Sequence, residues 1–196
     1  EPAAAWHDWG EAPATTYFYG RQAELAQLRQ WLVGDRQRLV VVLGMGGMGK
    51  TTLVAKAAST LADQFEAVFW RSLLNAPPLP ELLRELLRFF ARGQLGQLPD
   101  SLGEQLAQLF AHLRLRRCLL VFDNLESILE AGQAGQYRAG YESYGQLIER
   151  AAQHEHQSCI MLTSRERPQG TKRLAEDGAP VCFLPLAGLE PQAGLA

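Results

Sequence analysis

The sequence predicts an α/β protein, a three-layer α/β/α sandwich in which helices cover both faces of a five-stranded parallel sheet. Three observations predict it. Five short runs, 39–43, 67–70, 118–122, 159–163 and 181–184, are almost wholly apolar, as strands buried on both faces must be. Segments with apolar residues at three- and four-residue steps separate most of these runs, and strands alternating with helices make a parallel sheet. A Gly-rich joint at 44–49 ties one such strand directly to one such helix.

Taken in order, residues 1–16 mix Ala, Pro, Gly, Trp6 and Trp9 without periodicity and read as a linker whose tryptophans can dock on the domain. Over 21–33, Leu25, Leu28, Trp31 and Leu32 mark an amphipathic helix that Gly34-Asp35 ends. The strand 39–43 leads through the Gly-rich joint to a helix over 50–62, then a strand at 67–70. Pro77-Pro78 open a helix over Leu79–Ala91. Ser101 and Glu104 form a capping-box pattern for a helix reaching about 114. The strand 118–122 follows, then a Gly-, Gln- and Ala-rich loop at 131–140. A helix over 144–153 and the strands at 159–163 and 181–184 complete the pattern. The leucine-rich faces of 79–91 and 102–113 are expected to pack on the sheet.

Length and composition fit one soluble domain: 196 residues, 47% hydrophobic, 20% charged, net charge −2. That balance gives no sign of a nucleic-acid surface. No apolar run approaches the ~18 residues of a membrane span, and no basic-then-apolar N-terminal signal is present. Cys118, Cys159 and Cys182 lie in or beside apolar runs without metal-type spacing. They read as buried reduced thiols, which favours a cytoplasmic protein. His154 and His156 flank Glu155 but do not face each other on a helix, so they read as a polar helix end.

Chemistry concentrates at the joint. Gly44, four residues, then Gly49-Lys50-Thr51 match the phosphate-loop pattern, with an apolar strand before and a helix after. Gly44, Gly46, Gly47 and Gly49 allow the tight turn and keep Cβ atoms away, so that backbone N–H groups, that of Met48 included, converge on an anion. The helix start adds unpaired N–H groups and its positive dipole end. Lys50 supplies a point charge for the β- and γ-phosphates, the Thr51 hydroxyl suits Mg²⁺, and Thr52 suits the α-phosphate.

A metal beside phosphates calls for a carboxylate, and the strand 118–122 runs into Asp123. Asp123 is the expected second Mg²⁺ anchor. Asn124 follows, an amide that cannot accept a proton, so Glu126 is the substitute acid for orienting the attacking water. The strand 159–163 runs into Ser164-Arg165. Ligands gather at the carboxyl ends of parallel strands, so Arg165 is placed to sense a γ-phosphate.

Phosphate loop, Asp123 strand and Thr163-Ser164-Arg165 together resemble the STAND nucleotide-switch ATPases, specifically their NB-ARC branch. Phe18-Tyr19-Gly20-Arg21-Gln22-Ala23-Glu24-Leu25 looks like that branch's hydrophobic-hydrophobic-Gly-Arg-x-x-Glu-Leu segment. Trp70-Arg71-Ser72-Leu73, Tyr144-Gly145-Gln146-Leu147 and Leu186-Ala187-Gly188-Leu189 are similar to cyanobacterial-type members that carry downstream sensor repeats. The resemblance covers 17 to about 190.

It implies a P-loop NTPase sheet in the order 5-1-4-3-2, with the Arg165 strand between the phosphate-loop and Asp123 strands. It implies that Phe18, Tyr19, Gly20 and Arg21 line an adenine, and that the ligands are ATP, ADP and Mg²⁺. The expected function is a switch that hydrolyses ATP slowly, since Asn124 stands where the family often has a second acid. Expected partners are other domains of a longer chain and, on activation, further copies, with no direct nucleic acid and no membrane. Residues 17–196 are then a nucleotide-binding domain without the family's helical lid and winged helix, and the absence of an initial Met fits an excised piece. An AAA+-type loader or remodelling ATPase, and a scaffold with a vestigial site, are the alternatives.

Overall fold

The computed structural model describes residues 5–92 and 98–188; residues 1–4 of the expected linker and everything from 189 onward lie outside them. Six parallel strands form one sheet: β1 (Trp6–Asp8), β2 (Leu39–Leu43), β3 (Ala67–Ser72), β4 (Cys118–Asp123), β5 (Cys159–Ser164) and β6 (Val181–Pro185). Their order is β1-β3-β4-β5-β2-β6. Counted from β2, the five expected strands stand in the order 5-1-4-3-2. The sixth strand amends the expectation of five, and it comes from the segment read as linker. Three residues, Trp6-His7-Asp8, are too few to display an alternation. Their pairing with β3, Trp6 opposite Ala67 and Asp8 opposite Phe69, is visible only in three dimensions.

Successive residues of each strand feed opposite layers. Leu39 and Val41 of β2, with Leu120 of β4 and Ile160 of β5, join a core that includes α3 (Leu79–Ala91), α4 (Leu102–Leu115) and α5 (Ser143–Gln153). Val40 and Val42, with Val121 and Met161, join the core under α1 (Gln22–Arg29) and α2 (Lys50–Thr60). Burial on both faces explains the unbroken apolar runs. Each fully buried Leu or Phe stabilises the fold by about 1.5–3 kcal/mol.

Helix boundaries follow local chemistry. At α4 the Ser101 hydroxyl accepts the Glu104 backbone N–H at 3.3 Å and itself donates to the Glu104 carboxylate at 2.8 Å. The box is therefore closed through two side chains instead of reaching back to the Ser101 backbone. The helix expected over 21–33 is α1 followed by a π-helical turn, Gln30–Gly34, where Asp35 N–H donates to Gln30 O at 2.8 Å. A short helix α6 (Thr171–Glu176) was not legible, because six residues contain too little periodicity.

Candidate functional site

Strand order places the site. Because β5 lies between β2 and β4, the chain leaving all three carries its polar residues into one crevice. At the end of β2, Gly47 and Gly49 take φ of 79° and 82°, a left-handed backbone that favours glycine. Gly49 also caps α2 without any side-chain hydrogen bond, so the first N–H groups of α2 are not satisfied by a capping side chain. Lys50 is 7% exposed, and its ammonium donates to the Gly44 and Met45 carbonyls at 2.7 and 3.1 Å. The charge is thereby fixed beneath the loop.

Asp123, 3% exposed, ends β4. The Thr51 hydroxyl donates to its two oxygens at 2.9 and 3.1 Å. Thr163 donates to Oδ1 at 2.5 Å, and Asn124 Nδ2 to Oδ2 at 2.8 Å. Among the described residues Asp123 forms no ion pair, so a buried negative charge rests on uncharged donors. Burial of such a charge is costly, and a hydroxyl beside a carboxylate is the hard-oxygen donor set that suits Mg²⁺. Thr51 and Asp123 therefore fit that ion. No group of three or more His, Cys, Asp or Glu among the described residues could hold a metal by protein ligands alone.

Arg165, 62% exposed at the side chain, places Nε 3.2 Å from Glu126 Oε1. Glu126 is 20% exposed, but with its partner largely in solvent the pair stabilises by no more than about 1 kcal/mol. Glu126 Oε2 is buried without a hydrogen-bond partner. The resulting cleft, about 350 Å³, is lined by Gly46, Gly47, Gly49, Lys50, Thr51, Thr52, Asn124, Glu126 and Arg165. Of the phosphate-, metal- and water-directed residues read from the sequence, all lie there or beneath it except Gly44 and Met48. The Met48 N–H donates to the Met45 carbonyl at 3.4 Å, and the Met48 carbonyl accepts Arg21 Nη2 at 3.1 Å.

The Phe18-to-Arg21 segment stands beside the cleft and does not line it. Phe18 borders a groove of about 480 Å³ between α1 and α2 with Gln22, Leu25, Lys56 and Thr60. Tyr19 is 61% exposed. Gly20 and Arg21 have φ of 73° and 58°, which turns the chain into α1. The Arg21 guanidinium bonds Glu24 at 2.8 Å and the Ala187 carbonyl at 2.7 Å, tying this segment to the loop and to the chain after β6.

Sequence reasoning gave no role to Thr163 and Ser72. Thr163 also accepts the Asn124 N–H at 2.9 Å, and Ser72 accepts Asn124 Nδ2 at 3.2 Å. The signal was a polar residue at the end of an apolar strand: Phe122 pairs with Leu162, so Asp123 and Thr163 are the next residues of adjacent strands. His154 and His156 both pack on Phe110, at 5.7 and 5.8 Å. A third concavity of about 300 Å³, lined by Tyr137, Glu149, Gln153 and Arg173 among others, lacks the glycine loop and the Thr-Asp pair.

Residues 17–138 match the AAA ATPase domain family. An uncharacterized WD repeat-containing protein of Nostoc sp. is 46% identical over 196 residues, which is 95% of this chain and 16% of that protein. Disease resistance protein RPM1 of Arabidopsis thaliana is 32% identical over 99 residues, 46% of this chain and 11% of that protein. The chain thus spans a small part of these relatives. Among solved structures, the Walker-type ATPase of Pyrococcus abyssi superposes with a TM-score of 0.55 at 17% identity, over 92% of this chain and 57% of that one. At that identity the likeness concerns the fold alone. No helix among the described residues is long and apolar enough to cross a membrane.

Proposed function

The chain belongs to the AAA ATPase domain family, as a P-loop ATPase domain of STAND type, and from that premise we propose that it is the ATP/ADP switch of a longer signalling protein. It binds Mg-ATP, hydrolyses it slowly to ADP and phosphate, and by that difference controls contacts with other domains of its chain and with further copies. The observation that carries the reading is the single cleft joining Lys50, Thr51, Asn124, Glu126 and Arg165 above Asp123.

Each residue has a task. Glycine-loop and α2 N–H groups orient the phosphates, and the Lys50 charge compensates the β- and γ-oxygens. Bound Mg²⁺, held by Thr51 and through water by Asp123, would neutralise charge on the phosphates. Arg165 faces the γ-phosphate, so it distinguishes ATP from ADP. Asn124 turns its amide donors to Asp123 and Ser72, which helps to hold the carboxylate, and since an amide cannot take up a proton the transfer falls to Glu126. Turnover is accordingly slow. The Phe18-to-Arg21 segment, beside the phosphate cleft, meets the base where it projects from that cleft.

Calorimetric titration of the nucleotide-stripped chain tests this. The parent should bind both ATP and ADP, and Lys50→Ala should weaken ATP by roughly ten- to a hundredfold, the worth of a charged hydrogen bond. A parent that takes up neither nucleotide, or a Lys50→Ala variant that binds as the parent does, would refute the reading.

A further inference from the structure

Glu126 and Arg165 reach the cleft from different walls, one from the 3-10 turn after β4 (Leu125–Ile128), the other from the loop after β5. They meet at 3.2 Å through Glu126 Oε1. The other carboxylate oxygen is buried without a partner. That is an unstable arrangement for an anion, since an unsatisfied charged oxygen loses its hydration and gains nothing. The guanidinium also lies against the phosphate loop: a Cβ built on Gly46 would come within 3.2 Å of Arg165 Nη2. Arg165 is therefore within reach of two anionic positions, the Glu126 carboxylate and any phosphate seated on the Gly46 turn. Its exposure makes the pair with Glu126 a weak one, easily exchanged for a phosphate fork.

Resting on the reading of this cleft as an ATP site, we propose that Arg165 is a latch on Glu126: it occupies the carboxylate until the γ-phosphate of ATP draws the guanidinium away, and the released Glu126 is the general base. The attacking water forms its oxygen bond to the γ-phosphorus as the bond from that phosphorus to the bridging oxygen breaks. Glu126 accepts the water proton, ADP departs with the bonding electron pair, and Glu126 returns the proton to the phosphate that leaves. ADP has no γ-phosphate, so with ADP the latch stays closed. Asn124 does not compete for the proton, because an amide is not a base; its Nδ2 donates to Asp123 at 2.8 Å and to Ser72 at 3.2 Å. Sensing and catalysis thus become one event.

The test combines single-turnover hydrolysis with ATP and ADP affinities for the parent chain, Glu126→Gln, Arg165→Ala and the double variant, each first checked for an unchanged thermal midpoint. Glu126→Ala serves in place of a poorly folded glutamine variant. The latch predicts that Glu126→Gln lowers single-turnover hydrolysis roughly a hundredfold or more. It also predicts that the same change raises the preference for ATP over ADP by roughly two- to fivefold, because Arg165 no longer has to leave a partner. In the Arg165→Ala background that gain should vanish. Simple repulsion between Glu126 and the phosphates would instead let the gain survive or grow there, and that result overturns the latch, as does hydrolysis by Glu126→Gln at the parental rate. A parent chain that binds no nucleotide sinks the ATP-site reading itself, whereas a parent that binds ATP while these variants behave like it sinks the latch alone.

Discussion

At the end of β4 the Asp123 carboxylate is held by two threonine hydroxyls and one amide, and Thr163 is the donor closest to it. The Thr163 hydroxyl does two things at once, donating to the carboxylate and accepting the Asn124 N–H. That second bond helps to hold Asn124 at φ 61°, a left-handed position that asparagine takes more readily than most other non-glycine residues. Replacement of Thr163 by Val keeps the shape and removes both bonds. The expected loss is about 1–3 kcal/mol of unfolding free energy, as for a buried donor left without a partner. Because the carboxylate is then less firmly aimed, the Mg²⁺-dependent share of ATP affinity should fall about tenfold, while affinity in EDTA changes little. Titration with and without EDTA separates the two: equal losses under both conditions would reduce Thr163 to a packing residue. That Lys50, Thr51 and Asp123 come together was legible in the sequence because each is a residue type at a fixed place at the end of a strand or the start of a helix. Thr163 was not, because its role is a cross-strand contact 40 positions away in the chain.

At the scale of elements the same contrast recurs. Strands β2 to β6 were legible as apolar runs because each is long enough, at 5 or 6 residues, to be read as buried. Strand β1 was not, because what holds it lies on β3 and α3. Arg71 of β3 receives Asp8 in a two-pronged pair at 3.0 and 2.7 Å, takes Glu85 of α3 at 2.8 Å, and lies 4.1 Å from the Phe69 ring centre. The Arg71 guanidinium holds the Asp8 carboxyl below its ordinary range. A short, charged strand also protects an edge from pairing with other chains. Arg71→Ala should therefore release β1 as a unit, at a cost of about 1–2 kcal/mol once solvent screening of the partly exposed acids is allowed for. Hydrogen exchange at the backbone amides of residues 6–8 should accelerate strongly while β4 and β5 at the sheet centre hardly change. Uniform acceleration across the sheet would mean that Arg71 supports the whole core and not the edge strand.

For the molecule as a whole, two half-buried imidazoles are expected to govern how the fold responds to mild acid. Burial chiefly, with Arg116 adding repulsion, holds the His112 pKa below its ordinary 6.5. Burial again leads for His156, with Arg38 and His154 adding to the effect against hydrogen bonds that oppose it. Their hydrogen bonds agree with neutral rings. His112 Nδ1 lies 3.1 Å from Arg116 Nη1, and His156 Nδ1 accepts the Ser158 N–H at 3.2 Å, so a proton on either Nδ1 would face another donor. Both rings pack against the aromatic side of the α3–α4 layer, His112 stacked on Phe90 at 4.8 Å and His156 near Phe110 at 5.8 Å. The sign follows from proton counting. Below pH 6.5 the unfolded chain binds protons that the folded chain refuses, so stability is complete above that value and declines as the pH falls through it towards the lowered folded values. The lowered carboxyls of Asp8 and Glu24 act only further down, below their ordinary 3.8 and 4.5. The thermal midpoint should accordingly be lower at about pH 5.5 than at about pH 7.5, and the double change His112→Gln with His156→Gln should flatten that difference whatever it does to the absolute midpoint. A double variant that loses as much stability as the parent between the two conditions would place the acid sensitivity elsewhere, because then neither ring would be the group that the folded chain keeps neutral.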